Sequence, residues 1–90
     1  MNTDELANLW KSIEEVINAP TKKEAQPLVS RLKFQASQIK AHINDPYLKN
    51  KLDEVIIYAE EASGRVMNKL EAESYVQQSW YTFESGVKNT

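Results

Sequence analysis

Only two glycines and three prolines punctuate this chain of 90 residues. A fold of short strands needs turn residues roughly every 8 to 12 positions, so breakers this sparse leave room for a few long helices instead. The spacing of the apolar residues agrees. Leu6, Leu9, Trp10, Ile13, Val16 and Ile17 recur at the helical period and predict a first helix over about residues 3–18. Its cap is Asn2 or Thr3. Asn2 and Glu5 have the spacing of a capping box, Asp4 and Glu5 suit the positive end of a helix, and Ala19-Pro20 stops it.

Thr21-Lys22-Lys23-Glu24 is a second capping-box sequence. Beyond it Ala25, Leu28, Val29, Leu32, Ala36, Ile39 and Ile43 form a second stripe, giving a helix over about residues 22–43. Pro27 lies one residue past the first turn, where it removes a hydrogen bond, so a kinked or delayed start is expected. Asn44-Asp45-Pro46 then reads as a tight connection, with Asp45 as cap and Pro46 as first helical residue.

The longest stripe follows: Leu48, Leu52, Val55, Ile56, Ala59, Ala62, Val66 and Leu70. Ser63-Gly64 interrupts it, but a lone glycine costs a helix about 1 kcal/mol against alanine, and Glu61 and Arg65 bracket it at an i,i+4 spacing that favours continuity. A reversal within that dipeptide also leaves little room for a helix connection, which commonly takes about 2 to 8 residues. The expected fold is therefore all-α, a small antiparallel bundle of three helices in one domain. Its third helix would run over about residues 46–85 and reach about 60 Å, against about 24 and 33 Å for the others. The alternative is a four-helix up-down bundle broken near Gly64.

Past Leu70 the apolar positions change face. Ala72, Val76, Trp80, Phe83 and Val87 form a stripe turned by about 90° from the preceding one. No charge occurs from Ser74 to Phe83, where Tyr75, Trp80, Tyr81 and Phe83 supply four of the eight aromatics. On a protruding helix those side chains would form an exposed apolar patch needing cover. Ala72, Tyr75, Val76, Trp80, Tyr81 and Phe83 are accordingly the expected partner-binding residues, with Trp80 and Phe83 as anchors. Phe34 and Ile57 join them because each falls opposite the apolar stripe of its own helix. If the chain instead bends at Ser63-Gly64, Trp80 and Phe83 become core.

Charge alternates along the chain, with balances of -3, +5 and -4 over residues 1–20, 21–52 and 53–90. Opposite signs on consecutive segments favour antiparallel packing and help to set register. Lys22, Lys33 and Lys40 share one side of helix 2, but flanking acidic helices and a net charge of -2 point away from nucleic acid.

Reactive chemistry is sparse. His42 is the lone histidine and there is no cysteine, so no transition-metal set is expected. Glu14-Glu15, Asp53-Glu54 and Glu60-Glu61 are adjacent acids, which point about 100° apart on a helix and do not share a site. No phosphate loop or nucleophile motif occurs. The acidic N-terminus and short apolar runs point to a cytoplasmic protein without a membrane span.

The function expected is a non-enzymatic protein-protein interaction module without cofactor: an adaptor, inhibitor or regulatory subunit, homodimeric through the C-terminal aromatic segment. A monomeric immunity or inhibitor protein docking a toxin or target enzyme is the alternative. A ligand-binding bundle would need a cavity lined by Trp10, Tyr58 and Trp80.

Overall fold

The computed structural model describes residues 3–89 and contains four helices: α1 (Thr3–Ile17), α2 (Lys22–Lys40), α3 (Pro46–Ala62) and α4 (Lys69–Lys88). Their lengths of 15, 19, 17 and 20 residues are similar enough for each to cover its neighbours. The bundle measures 37 × 23 × 21 Å.

Two of the expected caps are present. Thr21 Oγ1 accepts from the Glu24 N–H at 3.1 Å, and Asp45 Oδ1 accepts from the Tyr47 N–H at 2.9 Å. The Asn2–Glu5 capping box lies outside the described residues. Pro27 does not delay α2, which begins at Lys22 directly after its cap. The proline stands on the exposed side, and α2 ends at Lys40 rather than near Ile43.

Cross-helix pairs fix the directions. Lys33 lies 3.6 Å from Glu60 and Lys40 lies 2.7 Å from Asp53, so climbing α2 means descending α3. Tyr58 stacks on Tyr75 at 5.6 Å, and Leu48 touches Gly86, so α4 returns antiparallel along α3. α1 meets α4 through Trp10 and Trp80, whose rings are 5.3 Å apart. The result is up-down-up-down. Its centre is made by Leu9, Ile13 and Val16 of α1, Leu32 of α2, Leu52, Val55 and Ala59 of α3, and Val76 and Phe83 of α4, all fully buried. Burying each large side chain contributes about 1.5 to 3 kcal/mol.

The single rod over residues 46–85 is not formed; the chain takes the four-helix alternative. The connection uses the six residues from Ser63 to Asn68, a length that lies well within the usual range. Gly64 makes the turn at φ +68°, in the left-handed region that glycine occupies without steric cost. Its N–H donates to the Ala19 carbonyl at 3.0 Å, tying this loop to the α1–α2 connection. A Cβ here would fall 2.8 Å from the Lys22 backbone nitrogen.

The carbonyls that lose their i+4 N–H partners where the helix breaks are met by cations. Lys22 Nζ donates to the Glu60 carbonyl and, at 3.2 Å, to that of Glu61. Arg65 Nε donates to the Glu61 carbonyl at 2.9 Å, and Lys69 Nζ to that of Ala62 at 3.1 Å. Lys69 Nζ also donates to the Ile17 carbonyl at the end of α1. Positive charge at helix C-termini is favourable for the dipole as well as for the open carbonyls. Arg65, spaced to pair with Glu61 on a continuous helix, instead closes the end of α3.

Candidate functional site

With α4 folded back, the expected partner segment divides. Val76 and Phe83 are wholly buried, Trp80 is nearly so, and Ala72 is half-buried against the core. Trp80 packs on Trp10 and, at 5.7 Å, on Phe83. The two proposed anchors are therefore core residues, because the turned stripe is the inner face of a separate helix and not a second face of a rod. Tyr75, Tyr81, Phe34 and Ile57 do stand exposed. These four are spread over three helices: Phe34 is on α2, Ile57 on α3, and Tyr75 and Tyr81 are on α4, where Tyr75 leans on Tyr58.

The most exposed apolar side chains lie elsewhere. Val66 is 92% exposed, Leu70 82% and Met67 78%. They project at the α3–α4 turn, just beyond the tied residues Ser63 and Gly64. Scattered apolar residues on a surface are ordinary, but here the three most exposed large ones fall within five positions at one turn. Tyr81 is exposed separately, three helical turns along α4 from Leu70. Beside the tip, Tyr58 and Tyr75 with Ala72, Arg65 and Asn68 line a shallow groove of about 240 Å³. Glu61 and Glu71 border that groove, so the rim carries both signs.

Sequence reasoning placed Val66 and Leu70 in the buried stripe and left Met67 without a role. The signal that could have found them is the 90° change of phase itself. A helix that must present two faces to one core has to be cut between them, and the residues at the cut lose their cover.

The basic side of α2 is taken up by α3. Lys33 and Lys40 pair with its acids and Lys22 with its last carbonyls. At the opposite end of the bundle from the tip, the Glu54 carboxylate 3.1 Å from Lys51 raises that ammonium above the usual lysine value. The two indoles pair with each other and Tyr58 with Tyr75, so Trp10, Tyr58 and Trp80 are divided between two contacts and do not surround a common cavity. A larger hollow of about 580 Å³ opens at that opposite end, where Ile39, Ile43, Leu48 and Val87 supply the apolar wall and His42 and Asp45 polar groups. Among the described residues no group of three or more acids, histidines or cysteines is placed to hold a metal ion, and no helix is long and apolar enough to cross a membrane.

Fold and surface together define a small up-down four-helix bundle with one bare apolar tip. Comparison with protein-family models, with curated proteins and with solved structures gives no match.

Proposed function

We propose that this chain is a non-catalytic protein-interaction module that docks through the α3–α4 tip, acting sterically as an adaptor, inhibitor or regulatory subunit. The observation that carries this reading is the exposure of Val66, Met67 and Leu70 beside a loop whose other half is fully engaged. Burial of Trp80 and Phe83 removes the support for a dimer built on those anchors and moves weight to the alternative, a monomer that docks another protein. The partner that fits is a protein with an apolar cleft and a polar rim. Met67 is unbranched and polarizable, suited to adapting to such a cleft, and Tyr58 and Tyr75 supply ring surface in the adjoining groove.

The test is position-specific photo-crosslinking in cells. A photoreactive residue at Met67 should give one discrete adduct, while the same residue at Ser30 on α2 should give none. Adding V66S and L70S should abolish the adduct. Equal labelling at both positions, or an adduct that survives those changes, overturns the reading.

A second reading rests on the 580 Å³ hollow, which falls in the range of about 300 to 1,000 Å³ typical of small-molecule sites. Native mass spectrometry of freshly purified protein should then show an added mass that the Ile43→Trp variant loses. A bare 10.3 kDa chain counts against it.

A further inference from the structure

A chain of 90 residues buries little enough surface that one covalent staple adds a sizeable share of its stability, and without cysteine no disulfide is available. The bundle does hold two phenols in contact. The rings of Tyr58 on α3 and Tyr75 on α4 lie 5.6 Å apart, centroid to centroid, and within 26° of parallel. The two residues are 17 positions apart in sequence and meet because α4 folds back along α3. Tyr75 is 46% exposed and Tyr58 half-buried, so an oxidant in solution reaches the pair. Both rings line the groove of about 240 Å³, which gives them room to turn edge to edge. Tyr47 and Tyr81 are more exposed, at 57% and 71%, but among the described residues neither ring rests on another tyrosine.

The geometry points to Tyr58 and Tyr75 as an oxidative modification site, at which a one-electron oxidant such as a haem peroxidase with hydrogen peroxide joins α3 to α4 through an intrachain dityrosine bond. Each phenol gives up one electron and one proton and becomes a phenoxyl radical. The two radicals couple through ring carbons ortho to oxygen. One carbon–carbon bond forms, and the two displaced ring hydrogens move to the oxygens as aromaticity returns. In all, two hydrogens leave the chain and one peroxide becomes two waters. Contact decides where coupling occurs, because a ring held against its neighbour meets it at an effective concentration that no ring on a second molecule matches. The bond closes a loop of about 18 residues and, like a disulfide, stabilises the fold by restricting the unfolded chain. It uses no atom of Val66, Met67 or Leu70, so the inference neither rests on the docking reading nor competes with it.

Dilute purified chain treated with peroxidase and hydrogen peroxide should yield a species at monomer mass less two hydrogens, with dityrosine fluorescence. Its melting temperature should exceed that of the untreated chain by about 5 °C or more. Y58F and Y75F keep both rings in place but should each lower the yield of this species about tenfold or more, while Y47F and Y81F should leave it unchanged. Coupling between copies alone, or no dityrosine at all, overturns the inference. So does a linked monomer whose yield survives Y58F or Y75F, or one that melts no higher than the untreated chain. Should either of those Phe variants lose helicity by circular dichroism, peptide mapping of the wild-type product decides: a bond between Tyr58 and Tyr75 supports the inference, and one made by Tyr47 or Tyr81 overturns it. Because no partner protein is present, this assay can succeed where crosslinking at Met67 fails, and the reverse.

Discussion

Residues 63 and 64 and the side chains of Val66, Met67 and Leu70 share one corner of the bundle, yet the first pair is fastened on every side and those three stand clear. Ser63 is buried with its hydroxyl donating to the Glu60 carbonyl at 2.6 Å, and Gly64 is locked against the backbone of Thr21 and Lys22. Two residues later Val66 is almost wholly in solvent. The difference separates what the fold needs from what it leaves available. A turn between two packed helices requires one residue with left-handed freedom and donors for the open carbonyls; it does not require a valine, a methionine and a leucine in water. Residues fastened at this corner should control stability, and the bare ones should control association.

The largest effect should come from the aromatic core of the bundle, away from this corner. Phe83→Ala removes a fully buried ring and should cost about 3 to 5 kcal/mol, against a total of about 5 to 13 kcal/mol for a chain this long. With Trp80→Ala added, the protein should be unfolded at room temperature by circular dichroism. If the double variant kept its helicity and only lost association, these rings would be interface and the contrast between core and tip would collapse.

Next comes Gly64→Ala in the monomer. A Cβ 2.8 Å from the Lys22 nitrogen, at a positive φ, should cost about 2 kcal/mol or more in denaturant titration at low concentration. An unchanged midpoint would mean that the fastened half of the loop holds nothing. Lys69→Met takes the ammonium donor from the Ile17 carbonyl and leaves that of Ala62 only the Arg65 N–H, and should cost about 1 to 2 kcal/mol by thermal melting. At the bottom of the scale, V66S, M67S and L70S should each move stability by less than about 0.5 kcal/mol. A large loss at any of the three would show that the tip is covered within the monomer, and would sharpen the boundary between the two halves in the opposite direction.

Much of the fold was legible in the residues themselves. The stripes of α1 and α2 are buried as their spacing requires, and Thr21 and Asp45 cap the helices they precede. The alternating charge is realised in Lys33–Glu60 and Lys40–Asp53. The break after Ala62 was misjudged because the local signals favour continuity. Glu61 and Arg65 are well spaced, one glycine is a modest penalty, and Val66 and Leu70 extend the stripe. Each of these terms is worth 1 kcal/mol or less. Burying Val76, Trp80, Phe83 and Val87 is worth several times more, and folding back achieves it. Trp80 and Phe83 are buried for the same reason: a helix that can turn inward covers its own aromatics.

The amino-acid order by itself determined an all-helical chain, where three of its helices begin, and which face of each is apolar, because period and capping act within a few residues of one another. Only the tertiary structure decided that the last stripe faces inward and that Val66, Met67 and Leu70 stay uncovered. Those outcomes depend on contacts between residues far apart in sequence, such as Gly64 with Ala19, Lys69 with Ile17 and Trp80 with Trp10, whose joint free energy exceeds every local preference at the α3–α4 turn.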